Sequence, residues 1–153
     1  MDHSTIESAY APFAAMLREG GFAKPAEGWP AELVAAHVSQ NNNFIAEMAE
    51  RIAAGEKPSY DNANAVDDAL LRAYADEVGG MAGLAQAIEA SARRLAAARL
   101  ALDETTEGYM LPAIIRDGGE IVNDEPIPIG RFIEGNASFH LDLHVKQLKA
   151  LRQ

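Results

Sequence analysis

The chain has 153 residues, 48% of them hydrophobic and only 7% aromatic, with no cysteine and a formal net charge of −10. That length suits one domain over residues 1–153 with a real core, and the missing cysteines exclude both disulfides and a cysteine nucleophile. The acidic balance repels phosphate backbones and anionic lipid surfaces, so neither nucleic acid nor membrane is an expected partner.

The amino terminus, MDHSTIESAY, has no basic region followed by an apolar run, and no stretch of about 18 apolar residues occurs. A soluble cytoplasmic protein is expected, with a homodimer left open. Ser4 and Glu7 have capping-box spacing, and Tyr10, Phe13, Met16 and Leu17 follow at helical intervals. This predicts a helix over 4–19, ended by Gly20-Gly21. The segment FAKPAEGWP reads as a loop, with Pro30 suited to a first helical position.

A second helix is expected over 30–54, stopped by Gly55 and Pro58; its inner stripe carries Leu33, His37, Phe44 and Met48, with Gln40 and Asn41 beside it. SYDNANA then reads as a polar linker. A long helical region over 66–102 is weakened at Gly79-Gly80 and Gly83, which predicts a kink or two abutting helices. From Ile114 to Val122, β-branched residues flank Gly118-Gly119, the pattern of a small hairpin. Pro126 and Pro128 lead into a last helix over 129–151.

His140 and His144 are four residues apart on that last helix, so they differ by about 40° around its axis and point the same way. Their face also carries Ile133, Ala137, Leu148 and Leu151, which turns it inward. Two imidazoles at this spacing can reach one ion, and His37, at the centre of the inward face of the second helix, can supply a third nitrogen. Three neutral histidines leave coordination positions open for water or substrate, as at a catalytic site. One divalent ion is expected, zinc or nickel first and iron after them, because imidazole alone does not choose among these. The only other histidine is His3. Uptake is expected to weaken below a pH of about 6.5, where free imidazole protonates. Asn41, one turn after His37, and Asn136, one turn before His140, are candidates to orient a ligand or touch a substrate.

The runs Trp29-Pro30-Ala31-Glu32-Leu33-Val34-Ala35-Ala36-His37 and Phe139-His140-Leu141-Asp142-Leu143-His144, with the hairpin between the third and last helices, resemble the DinB-like family. That family includes the amino-terminal domains of mycothiol-dependent maleylpyruvate isomerases, and the resemblance covers essentially the whole chain. It implies an all-α four-helix bundle, with a short β-hairpin inserted before the last helix, and a metal site at one end. His37, His140 and His144 match the ligand positions. It also implies a low-molecular-weight thiol, such as mycothiol or bacillithiol, used as a cofactor or transferred to a small electrophilic substrate. The isomerases' further carboxy-terminal domain has no counterpart in these residues, so isomerisation itself is not expected. The hairpin is a candidate lid, and Arg116 and Arg131 are cations that could hold the carboxylates of such a thiol. The alternatives are a non-catalytic metal- or small-molecule-binding module and a metal-dependent hydrolase.

Overall fold

Asp2, not Ser4, starts the first helix. Its carboxylate accepts the amide of Thr5 at 2.9 Å and the hydroxyl of Ser4 at 2.8 Å, so the expected Ser4–Glu7 box does not form and His3 lies inside the helix. The computed structural model describes residues 1–152. The single helix expected over 4–19 is two: α1, His3–Ala9, and α2, Ala11–Glu19. The break falls at Tyr10 because Pro12 has no amide for the carbonyl of Ser8 and its ring crowds the preceding turn.

Helix α3, Ala31–Ala53, follows, with Pro30 capping it in an extended conformation one residue outside the expected position. It is the axial element: the helices over 80–100, 68–77 and 141–151 pack against it, and α1 and α2 cover the first of these. Helix α4 is Asp68–Glu77 and α5 is Gly80–Leu100. They abut at Gly79 and Gly80, whose φ angles of 97° and 73° suit glycine. Gly83 has its own reason to lack a side chain: a Cβ there would stand 1.6 Å from the carbonyl oxygen of Val78, at the end of α4. The buried face of α5 is built from Leu84, Ile88 and Leu95 with Ala85, Ala92 and Ala96 between them, small residues that let α3 approach closely.

The hairpin forms as expected, from β3, Ala113–Asp117, and β4, Glu120–Asn123. Gly118 and Gly119, at φ 59° and 84°, provide the paired left-handed backbone of its turn. The segment read as a polar linker is ordered instead: β1, Tyr60–Asp61, pairs in parallel with β3 and runs into a 3₁₀ turn over Asn62–Ala65. The side chain of Asn62 extends that pairing, accepting the amide of Arg116 at 2.7 Å and donating to its carbonyl at 3.1 Å. A second small sheet joins β2, Met110–Leu111, to β5, Ile127–Pro128. The protein is thus mostly helical with two small sheets, rather than all-α apart from one hairpin.

The last helical region is α6, Ile129–Gly135, then one π-helical turn over Asn136–His140, then α7, Leu141–Leu151. No helix among the described residues is long and apolar enough to cross a membrane.

Candidate metal centre

Three elements bring the histidines together. His37 sits in the first third of α3, His140 closes the π-helical turn, and His144 lies one turn later in α7. The Nε2 atom of His140 is 3.1 Å from Nε2 of His37 and 3.1 Å from Nε2 of His144, and the three nitrogens lie within 4.8 Å of one another. The wide turn matters here, because an inserted residue re-aims the side chains that follow it, and such turns recur at functional sites.

The outward nitrogens fix the tautomers. His37 Nδ1–H donates to the carbonyl of Ala65 at 2.6 Å, and His144 Nδ1–H donates to Oε1 of Gln147 at 2.8 Å. Both rings therefore present an Nε2 lone pair to His140. An N–H on Nε2 of His140 can point well at only one of them and leaves the other lone pair without a donor. A cation at the shared point satisfies all three nitrogens. The two 3.1 Å spacings agree with this, since two nitrogens at about 2.1 Å from a common ion, at angles between right and tetrahedral, stand about 3.0–3.4 Å apart. The residues present fit a metal ion.

The electrostatics keep them ready for one. Burial pushes His37 down to about 4, helped by the neighbouring His144 and opposed by the hydrogen bond to Ala65. Burial, then His144 and His37, lowers His140 to about 3. His144 is also lowered by burial, against the opposing pull of Gln147 and Asp117. All three are neutral near pH 7, the form that ligates.

Two cavities flank the cluster. A smaller one, about 290 Å³, reaches His37 and His140 and is bounded by Asn62, Ile115, Arg131 and Phe132. A larger cleft, about 740 Å³, opens beside His144 between Trp29 and the hairpin turn. The Trp29 ring lies 5.1 Å from that of His37, held by an Nε1–H bond to Asp68 at 2.8 Å.

Asn41 and Asn136 border the smaller cavity, but their amides are engaged within the protein. Asn41 donates to Asn136 at 2.7 Å and accepts from the Tyr60 hydroxyl at 2.6 Å. Asn136 donates to Asn42 at 2.7 Å and to the Tyr10 hydroxyl at 3.0 Å. This buried network ties the α1–α2 break, α3, β1 and the π-helical turn together, and so braces the elements that carry His37 and His140. Replacing Asn136 by Ala orphans donors and acceptors on several elements. Such a loss should lower stability by about 2–3 kcal/mol, read from urea unfolding; a change under about 0.5 kcal/mol, the size of an ordinary surface substitution, would show that the network does not brace the site.

The two arginines part ways. Arg116 makes a two-pronged ion pair with Asp61, 2.9 Å at each contact, and is not free to hold a ligand. Arg131 is exposed and makes no ion pair among the described residues. The sequence did not mark out Ala65, Gln147, Asn62 or the tyrosines. Gln147 had a signal, since it stands three residues after His144 on one helix face; the Ala65 carbonyl had none.

No family model, curated protein or solved structure matches the chain, so the site is argued from its own geometry.

Proposed function

We propose that His37, His140 and His144 hold one divalent ion, and that the protein is a DinB-like metalloenzyme that transfers a low-molecular-weight thiol to a small electrophile. The observation that carries this reading is that open space borders the whole cluster, one cavity lined by His37 and His140 and the other by His144. A purely structural ion is closed off by a fourth protein ligand, whereas three ligands beside open space leave room for reactants. A four-helix bundle belongs with this proposal: it counts α1 with α2, α4 with α5, and α6 with α7 as one interrupted helix each, and α3 as the fourth.

When bound, the ion would favour the thiolate form of a thiol such as mycothiol or bacillithiol. The chain's own residues do the rest of the placing. Ala65 and Gln147 hold two imidazoles in the ligating tautomer, and Trp29 covers one side of His37. In the overall transfer a sulfur–carbon bond forms, the thiol proton goes to solvent, and the electrophile's leaving group departs with its electron pair. Zinc, nickel and iron all suit an imidazole set.

The experiment is to mix metal-loaded protein with a physiological thiol and an aryl halide and follow the loss of free thiol. Conjugation above the background rate, lost in His144→Ala and on metal removal, is the expected result. A background rate across several thiols and electrophiles, with the ion bound, would favour a non-catalytic binding module. Ester cleavage without any thiol would favour a metal-dependent hydrolase.

A further inference from the structure

We infer that the smaller cavity receives a small carboxylic acid, whose carboxylate pairs with Arg131 while its other end reaches the His37–His140 edge of the cluster. This deepens the metal reading above and rests on it.

Charge carries the argument first. Among the described residues, Arg131 is the one Arg, Lys, Asp or Glu bordering that cavity, and the asparagines there are uncharged. The acids that might have neutralised it are engaged. Glu134, one turn on, takes the amino-terminal ammonium at 3.0 Å; Glu107, whose backbone packs beside Gly130, pairs with Arg99 at 2.7 Å; Asp61 is held by Arg116. In a chain of net charge −10, an arginine that lines a cavity and has no acidic partner among the described residues is a place where an anion gains most. The opposite cleft repels one, since Asp67, Asp68 and Asp117 border it and its only arginine, Arg116, is already paired.

Shape and chemistry narrow the class. At about 290 Å³ the cavity stands at the small end of the range of about 300–1,000 Å³ typical of small-molecule sites. It therefore suits an acid of a few carbons. Ile115 and Phe132 give that short carbon chain an apolar wall. A guanidinium binds a carboxylate through two parallel N–H bonds, which fixes orientation as well as charge. An acid so anchored points its far end down the cavity toward the histidines.

The test uses the cobalt(II)-substituted full chain and two thiols of similar length, 3-mercaptopropionate and 2-mercaptoethanol, as reporters. A sulfur-to-cobalt absorption band reads out each thiol's arrival at the ion. The expected result is that 3-mercaptopropionate binds about tenfold more tightly, a preference that shrinks as salt screens the exposed arginine. Arg131→Gln should erase the preference and leave the affinity for 2-mercaptoethanol unchanged, and Arg131→Lys should keep part of it. Equal affinities in the parent would overturn the inference with the metal reading intact. So would a preference that survives in Arg131→Gln, which would place the carboxylate on the ion instead, or cobalt uptake with no sulfur band from either thiol. Failure to take up cobalt at all would remove the metal reading and this inference with it.

Discussion

A His140→Ala protein is expected to lose tight uptake of divalent metal, by at least a hundredfold, while the parent binds one ion per chain and melts about 10 °C lower once a chelator has removed it. His140 is the choice because its Nε2 is the nitrogen that stands 3.1 Å from each of the others. Without it, two imidazoles on different helices remain, with no rigid pair between them. The thermal effect follows from mass action. An ion that binds only the assembled helices, present at about a thousand times its dissociation constant, stabilises by about 4 kcal/mol. For a chain of this size, each kcal/mol moves the melting temperature by about 2–4 °C. Elemental analysis of the purified protein, isothermal titration of both proteins and melting curves before and after chelation give the answer. Equal affinity in His140→Ala, or an unchanged melting curve after demonstrated metal loss, would sink the assignment.

That the histidines would converge was legible because helical periodicity is a local signal. His140 and His144 share a face by spacing alone, and Leu33, Phe44 and Met48 mark the face of α3 that carries His37. The hairpin turn was equally local, since Gly118-Gly119 between β-branched residues permits little else. What escaped reading is long-range. The run Ser59–Ala65 looks polar in isolation and gains order only because β3, some fifty residues later, offers a parallel edge to Tyr60 and Asp61. Asn62 and Arg116 meet for the same reason.

The π-helical turn was hidden because no residue type announces one. Nothing in Asn136–His140 departs from ordinary helix composition, and the extra residue in the turn shows only once α6 and α7 are both packed. The asparagine network was half legible: Asn41 and Asn136 stood out near the histidines, but their partners Tyr10, Asn42 and Tyr60 come from elsewhere in the chain. Both line the smaller cavity, and their hydrogen bonds brace the elements that carry the histidines.

The metal-free protein is expected to lose stability as pH falls from about 6.5 toward 4, while the folded site goes on binding metal below the pH at which free imidazole protonates. The unfolded chain presents histidines that protonate near 6.5. In the folded protein burial holds His37 at about 4 and His140 at about 3, with His144 lowered as well. Between those limits the unfolded state binds more protons than the folded one, so unfolding free energy rises with pH; the stability is present above about 6.5 and drains away on acidification. The shift at His37 alone corresponds to about 3 kcal/mol when fully expressed. Carboxylates act in a lower window: Asp2, lowered to about 2 by its bonds to Thr5 and Ser4, contributes above about 4 and loses that contribution only as pH falls toward 2. The two effects therefore separate along the pH axis. Metal affinity departs from the expectation based on free imidazole, because a proton competes poorly for a nitrogen that burial keeps neutral; it should hold nearly level from pH 7.5 to well below 6.5 instead of falling through that point. Urea unfolding of metal-free protein at half-unit steps from pH 7.5 to 4, beside metal titrations over the same range, measures both. Flat stability between 6.5 and 4.5, or metal affinity that falls tenfold for each pH unit from 6.5 downward, would show that the three imidazoles are open to water and not held neutral inside the helices.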